Sequence, residues 1–370
     1  MKVIIAAAGT AGHINPGVSI ANKIKEEEPN SQIIFIGTKR GLENDLVPRA
    51  GYELKTIDAY GLDFKRPDRL LKTLKGFGTA KKIIKEFKPD VVIGTGGYIC
   101  GAAITMANKL GIPTLLHESN AFPGKAVKML SKKTDCILVG FEDAKKRLES
   151  AKKVVVTGNP TKIKDLKLSK TKKENMIKEL GLNPEKPILL VFGGSQGAKA
   201  INDSIIKIVK EKTNNNYQII WAPGPVQYNI IKEELEKNNI DMENIPNTKV
   251  YPYIYNMEEI MNISDLFICR AGAMTINEVS IVGKPAIFIP LPGVSQNHQE
   301  YNARVLESIG AAKIILNKDL ENTDLNKYIE EIIYDKDLLN EMGHKAQEVS
   351  NVNALEKIYI EIKDSILHKC

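Results

Sequence analysis

Three short glycine-bearing segments hold the residue types best suited to chemistry: Gly9-Thr10-Ala11-Gly12-His13, Gly94-Thr95-Gly96-Gly97-Tyr98 and Gly193-Gly194-Ser195-Gln196-Gly197-Ala198. Glycine tolerates positive φ and lets backbone N–H groups approach a ligand closely. Where such a loop leads into a helix, the unpaired N–H groups and the positive end of the helix dipole favour phosphate. Any one of these loops reads equally well as a tight strand-to-helix turn. Three in one chain, two of them opening its two halves, describe an α/β protein of two Rossmann-like domains, their parallel sheets facing across a cleft. None reads G-x-G-x-x-G, and His13 stands where the first helix begins, which disfavours a dinucleotide fingerprint.

The elements that must position these loops follow from hydrophobic patterning. Strand-like runs at Lys2–Ala8, Gln32–Gly37, Asp90–Gly94, Thr114–His117, Cys136–Val139 and Val154–Thr157 alternate with amphipathic stretches in the first half. The second half restarts with Pro187–Phe192, a glycine loop and a helical run Ala198–Glu211. It continues through Tyr217–Ala222, Lys249–Tyr251, Leu266–Cys269, Pro285–Ile289 and Ala312–Leu316. Such alternation predicts mainly parallel sheets, and ligands of open parallel sheets bind at the carboxyl ends of the strands. The polar, lysine-rich stretch Thr161–Pro187 places a domain boundary near Gly158–Lys167, giving domains of residues 1–160 and 161–349. A final helix over Asn353–His368, within the segment 350–370, has an apolar face that could cross back onto the first domain.

Composition narrows the class. The chain has 370 residues, 43% hydrophobic and 26% charged, as expected for a globular enzyme of two domains. No apolar run is long enough for a transmembrane helix, and the first strand lacks the features of a signal peptide. Cys100, Cys136, Cys269 and Cys370 are scattered without metal-ligand spacing, which suits reduced thiols in a cytoplasmic protein. Residues 1–160 carry 26 Lys and Arg against 16 Asp and Glu, a balance of +10, whereas 161–370 carry 26 against 29. A basic first half suggests that this half alone faces a polyanion. Neither an aromatic-rich nor a helix-turn-helix pattern supports nucleic acid as that partner.

GTxGH (Gly9–His13), GGY (Gly96–Tyr98), HExN (His117–Asn120), TGNP (Thr157–Pro160) and GGSQGA (Gly193–Ala198) occur in that order. Arg270-Ala271-Gly272-Ala273 with Thr275 and Glu278, then His298-Gln299 and Asn302-Ala303, follow. Together these residues closely resemble the MurG family of N-acetylglucosaminyltransferases of peptidoglycan synthesis, over almost the whole chain. The resemblance implies the GT-B fold and no cofactor. It implies transfer of N-acetylglucosamine from UDP-GlcNAc to the 4-hydroxyl of the muramoyl sugar of undecaprenyl-diphosphate-MurNAc-pentapeptide (lipid I), with inversion, forming lipid II. Departures from the family pattern are Ala8 and Ala11 for two glycines, Ser119 within HExN, Lys162 for an arginine, and Val127 for an asparagine of some members.

On that resemblance, donor binding falls mainly to the second domain. Gly194, Ser195 and Gln196 would meet the UDP diphosphate, with Arg270, Ala273 and Thr275 at a neighbouring strand-to-helix turn. Glu278 would take the ribose hydroxyls, Gln299 the sugar hydroxyls, Asn302 would support that segment, and the backbone near Ile254 would meet uracil. Thr10, Gly12 and Lys162 would assist from the first domain. Its acceptor site would comprise Gly96, Gly97, Tyr98, His117 and Asn120. His13 is a candidate general base, since an imidazole of ordinary pKa near 6.5 can take a hydroxyl proton near neutrality; a capping or diphosphate-binding histidine is the alternative. Glu118 is a rival base, or a carboxylate holding His117 or the acceptor sugar. No metal site is expected.

The segment Tyr60–Lys88 mixes Phe64, Leu70, Leu71, Leu74, Phe77, Ile83, Ile84 and Phe87 with nine Lys and Arg and three Asp and Glu. It could rest on the anionic cytoplasmic face of the cell membrane, or be an ordinary amphipathic helix. Other cell-wall synthesis proteins are further candidate partners. The rival functions are a glycosyltransferase of the same fold acting on diacylglycerol, a UDP-sugar epimerase, and a non-enzymatic basic module that binds RNA or membrane.

Overall fold

The computed structural model describes residues 1–59, 67–194, 197–293 and 297–367, with side chains omitted for 67–72. The chain divides into two compact units, Met1–Lys162 with the C-terminal segment from Asn351, and Ile163–Ser350. The first contains strands β1 Lys2–Ala6, β2 Gln32–Gly37, β3 Glu53–Thr56, β4 Val91–Gly94, β5 Thr114–Glu118, β6 Cys136–Val139 and β7 Val154–Val156. They form one sheet in the order β3-β2-β1-β4-β5-β6-β7, every pair parallel.

The second unit holds β8 Ile188–Phe192, β9 Gln218–Ala222, β10 Thr248–Val250, β11 Leu266–Cys269, β12 Ala286–Phe288 and β13 Ala312–Ile314. Their order is β10-β9-β8-β11-β12-β13, again all parallel. In both units the first strand lies centrally and the order reverses between the first and fourth strands. That is the doubly wound pattern whose switch point opens a ligand crevice at the carboxyl ends.

Both faces of a parallel sheet are covered by helices, so its strands are apolar throughout. In β1, Val3 and Ile5 face one core cluster while Ile4 and Ala6 face the other. The helix Ala354–Leu367 joins the first of these clusters, where Ile358 and Ile362 are buried with Val91 and Ile93. Burying each isoleucine is worth about 2 kcal/mol as an upper bound.

Every strand except β3 lies within two residues of its sequence-based bounds. Strand β3 escaped the sequence reading because it reads Glu-Leu-Lys-Thr, a short edge strand that alternates between exposed and half-buried positions. The basic segment has the form of an amphipathic helix, one of its two readings. Its residues 67–87 form one helix, and Ile84 is buried while Phe77, Ile83 and Phe87 pack against the core. These four apolar residues therefore contribute to the core of the first unit. Leu74, by contrast, is exposed, as are Lys75, Lys81, Lys82, Lys85 and Lys88. Phe64 lies outside the described residues, as do the side chains of Leu70 and Leu71. Among the described residues no helix is long and apolar enough to cross a membrane.

Candidate active site

In the first unit the loops after β1 and β4 meet at the switch point. Gly9 has φ +98° and its N–H donates to Glu43 Oε2 at 3.0 Å. Glu43 is fully buried, and its Oε1 accepts from Thr38 N at 2.9 Å and Thr38 Oγ1 at 2.6 Å. Burial alone would raise this carboxyl's pKa, but the hydrogen bonds from Thr38 and Gly9 outweigh it and hold the group ionised. Glu43 thus ties the loop after β1 to the loop after β2, a positioning role absent from the sequence reading. Gly37 and Gly41 make room for it, since a Cβ at either would collide with the Glu43 side chain.

Thr10 caps the helix Ala11–Glu27 in extended conformation. The N–H groups of the first helical turn have no partner further back in the helix, which makes exposed Thr10 and Gly12 available to an anion. His13 lies on this turn and its carbonyl accepts from Thr95 Oγ1 at 2.8 Å. Its ring rests on Gly96, where a Cβ would come within 2.2 Å of Nδ1. Gly96 and Gly97 both have positive φ, +124° and +80°, and a Cβ on Gly97 would approach Ala8 O to 3.0 Å. Tyr98, next in the chain, is 43% exposed. His13, Gly96, Gly97 and Tyr98 are therefore brought together, whatever ligand they serve.

His117 is fully buried, contrary to the expectation that it meets the acceptor. Its Nε2 is 3.2 Å from Gly158 O and its Nδ1 is 3.3 Å from Ser119 Oγ. Burial drives its pKa down to about 4, so the ring is neutral at physiological pH. Asn159 Nδ2 donates to Ser119 O at 3.0 Å, so the HExN and TGNP segments are stitched together by their own polar groups.

Glu118 does not hold His117 either. Its Oε1 accepts from Asn120 N and Asn120 Nδ2, both at 2.9 Å, and its Oε2 from Gly124 N at 2.7 Å. Burial raises its pKa, opposed by those same hydrogen bonds. The carboxylate shapes the loop after β5, and Asn120 is one of the groups it anchors.

In the second unit the equivalent switch point lies between β8 and β11. Gly194 has φ +81° and open space where a side chain would stand, leaving its backbone approachable. Ser195 and Gln196 lie outside the described residues. At Gly197, φ is +72° and a Cβ would sit 2.2 Å from Pro223 O. The same turn is fixed by buried Asn202, which donates to Pro223 O at 3.1 Å and accepts from Trp221 Nε1 at 3.0 Å. The sequence reading did not single out Asn202; a lone amide in a helix gave no distinctive signal.

After β11, the Arg270 guanidinium donates to Ile289 O at 2.9 Å and Asn317 Oδ1 at 2.8 Å, and burial lowers its pKa. It braces neighbouring loops through these bonds. Gly272 caps the helix Ala273–Val282, on which Thr275 and Glu278 are half-buried. Gln299 Oε1 accepts from Ala271 N at 3.2 Å and Leu291 N at 2.9 Å, joining the loops after β11 and β12. Asn302 is fully buried and donates to Ala271 O at 3.3 Å. Ile254 is buried between exposed Tyr253 and Tyr255, and Lys162 is an exposed residue at the end of the first unit. Among the described residues no three His, Cys, Asp or Glu side chains gather as a metal cage.

Two doubly wound units, each with glycine loops at its switch point, define the GT-B-like fold class. The glycosyltransferase family 28 N-terminal domain matches residues 3–139 and the family 28 C-terminal domain matches residues 188–358. A relative from Thermoanaerobacter sp. (strain X514), named UDP-N-acetylglucosamine--N-acetylmuramyl-(pentapeptide) pyrophosphoryl-undecaprenol N-acetylglucosamine transferase, is 45% identical over 98% of this chain and 99% of its own. One of the same name from Clostridioides difficile (strain 630) is 39% identical over 98% of this chain and 88% of its own. The crystal structure of Acinetobacter baumannii MurG superposes with a TM-score of 0.78 at 28% identity, covering 98% of this chain and 99% of that one. The chain belongs to the MurG family of glycosyltransferases. The UDP-GlcNAc 2-epimerase of Neisseria meningitidis, at 16% identity and a TM-score of 0.64 over 98% of this chain and 99% of that one, shares the fold alone.

Proposed function

We propose that this protein transfers N-acetylglucosamine from UDP-GlcNAc to the 4-hydroxyl of the muramoyl sugar of undecaprenyl-diphosphate-MurNAc-pentapeptide, with inversion at the anomeric carbon. The observation that carries this reading is 45% identity, along nearly the full length of both chains, to a relative named for that transfer. The rival epimerase reading has only likeness of fold behind it.

The acceptor hydroxyl attacks C1 of the donor sugar from the face opposite UDP, forming the new glycosidic bond as the bond to UDP breaks. His13 takes the hydroxyl proton; the Gly96 surface fixes the plane of its ring. Negative charge grows on the departing diphosphate. The backbone around Gly194 and the start of the helix Lys199–Glu211 offer fixed N–H dipoles to it. Thr10, Gly12 and Lys162 add donors from the first unit. Glu278 accepts from the ribose hydroxyls, Gln299 Nε2 reads the sugar, and the Ile254 backbone meets uracil, while Arg270, Ala273, Thr275 and Asn302 hold their loops in place. Gly97, Tyr98 and Asn120 meet the lipid-linked acceptor. Glu118 and His117 act as positioning residues, because their polar atoms are engaged within the protein.

The protein works at the cytoplasmic face of the membrane, held peripherally by the exposed lysines of the helix Pro67–Phe87. Release of UDP from UDP-GlcNAc, with and without a soluble lipid I analogue and with UDP-glucose as control, tests the function. Acceptor-dependent release confined to UDP-GlcNAc is expected. Equal turnover of UDP-glucose on diacylglycerol would overturn the assignment.

A further inference from the structure

At the amino ends of the second sheet, Pro187, Asp265 and Pro285 stand immediately before β8, β11 and β12. Beside them opens a cavity of about 540 Å³, lined wholly by residues of the second unit. That volume is in the range of small-molecule sites. It lies at the edge opposite the loops that follow β8 and β11, so the proposed donor site does not account for it.

Its lining is cationic. Lys170, Lys173, Lys186, Lys284 and Lys336 stand in the lining with three carboxylates, Glu174, Glu185 and Asp265. Two of those carboxylates are committed. Asp265 accepts from Lys173 Nζ at 2.8 Å and Ile188 N at 2.9 Å, and Glu174 pairs with Lys170 at 3.8 Å. Lys186 spends its ammonium on Asn215 O at 2.8 Å and Asn247 Oδ1 at 3.3 Å. Lys284 and Lys336 make no ion pair among the described residues.

The corner carrying Lys284 is rigid. Gly283 has φ +68°, and a Cβ at Gly343 would lie 2.4 Å from Gly283 O, so the helix Lys336–Glu348 packs backbone to backbone against this turn. Burial, then the neighbouring Lys173, lowers the Lys284 pKa, opposed by Asp265 and Asp165. An anion entering the cavity would offset both effects by its attraction for the charged ammonium. Ile333, Tyr334 and Leu339 supply a wall for an uncharged portion.

We propose that this cavity is a second ligand site, separate from the donor loops, which takes a small phosphorylated metabolite of up to nucleotide size. Two ammonium groups with no ion pair among the described residues suit a phosphate dianion, for which lysine acts as a compact point charge. The chemistry fixes the phosphate and leaves the remainder of the metabolite open.

Calorimetric titration of inorganic pyrophosphate and of AMP tests this, using protein saturated with UDP so that the donor loops are filled. Salt of about 0.15 M screens diffuse attraction to a basic protein. At least one probe should bind at one saturable site, weakened tenfold or more by Lys284→Gln and by Lys336→Gln, and unaffected by Lys207→Gln on another face. Should Lys284→Gln fail to fold, exposed Lys336 decides the result. Absence of saturable binding, binding undiminished by Lys336→Gln, or equal affinity for citrate would overturn the proposal.

Discussion

The ring of His13 lies where a side chain on Gly96 would have to be, with only 2.2 Å between its Nδ1 and the position of a Cβ there. Alanine at 96 would meet both this collision and a φ of +124°. Strain of this kind costs about 1–3 kcal/mol. Gly96→Ala should lower stability by that amount and displace the proposed base, reducing kcat by roughly a hundredfold, in the range of a general-base contribution. His13→Ala should lose similar activity without the backbone strain that Gly96→Ala introduces. The double variant should be more stable than Gly96→Ala alone, since one half of the clash is gone. Thermal unfolding and kcat of all three variants check the relationship.

Gln299 separates bracing from substrate reading within one side chain. Its Oε1 joins Ala271 N to Leu291 N, a function that a carboxylate oxygen can also perform. Its Nε2 is the group proposed to meet the donor sugar. Gln299→Glu should therefore fold with an almost unchanged Tm yet raise the KM for UDP-GlcNAc about tenfold or more, the loss typical of a hydrogen bond to substrate. An unchanged KM would reduce Gln299 to bracing alone.

Acid should destabilise the first unit in two windows. His117, with a folded pKa near 4 against 6.5 for a free imidazole, binds fewer protons folded than unfolded between those values. Stability is thus intact above pH 6.5 and falls as pH drops towards 4, by up to about 3 kcal/mol. Glu28, held near 2 chiefly by Lys363, gives a second loss as pH falls from 4.5 towards 2. Urea unfolding against pH should show the upper loss diminished in His117→Gln and the lower one diminished in Glu28→Gln. Unaltered pH profiles would contradict these environments.

Membrane attachment should depend on charge more than on apolar insertion, because the apolar face of the helix Pro67–Phe87 contributes Phe77, Ile83, Ile84 and Phe87 to the core. Reversal of exposed Lys75, Lys81, Lys82 and Lys85 to glutamate should abolish sedimentation with vesicles containing anionic lipid, at about 1 kcal/mol or more per residue. Turnover of a soluble acceptor should survive. Vesicle binding unchanged by the reversal would exclude this surface.

Much of the fold was legible in the chain because burial on both faces forces parallel strands to be apolar and glycine loops mark their ends. Strand β3 escaped because an edge strand needs no such run. The glycine loops and the polar motifs were likewise visible, since each depends on residue types at fixed local spacing. Their division of labour was not. His117, Glu118 and Asn120 are neighbours in sequence, yet the fold buries the His117 ring beneath Gly158 and turns the Glu118 carboxylate onto Asn120 and Gly124. Glu43 and Asn202 became visible as positioning residues only when chain closure brought Gly9 and Trp221 to them. The sequence by itself determined the alternation of strands and helices, the family and the set of polar residues, because these are local properties. Tertiary structure alone decided which polar groups are consumed internally and which remain available to a ligand, because hydrogen-bond satisfaction depends on partners distant in the chain.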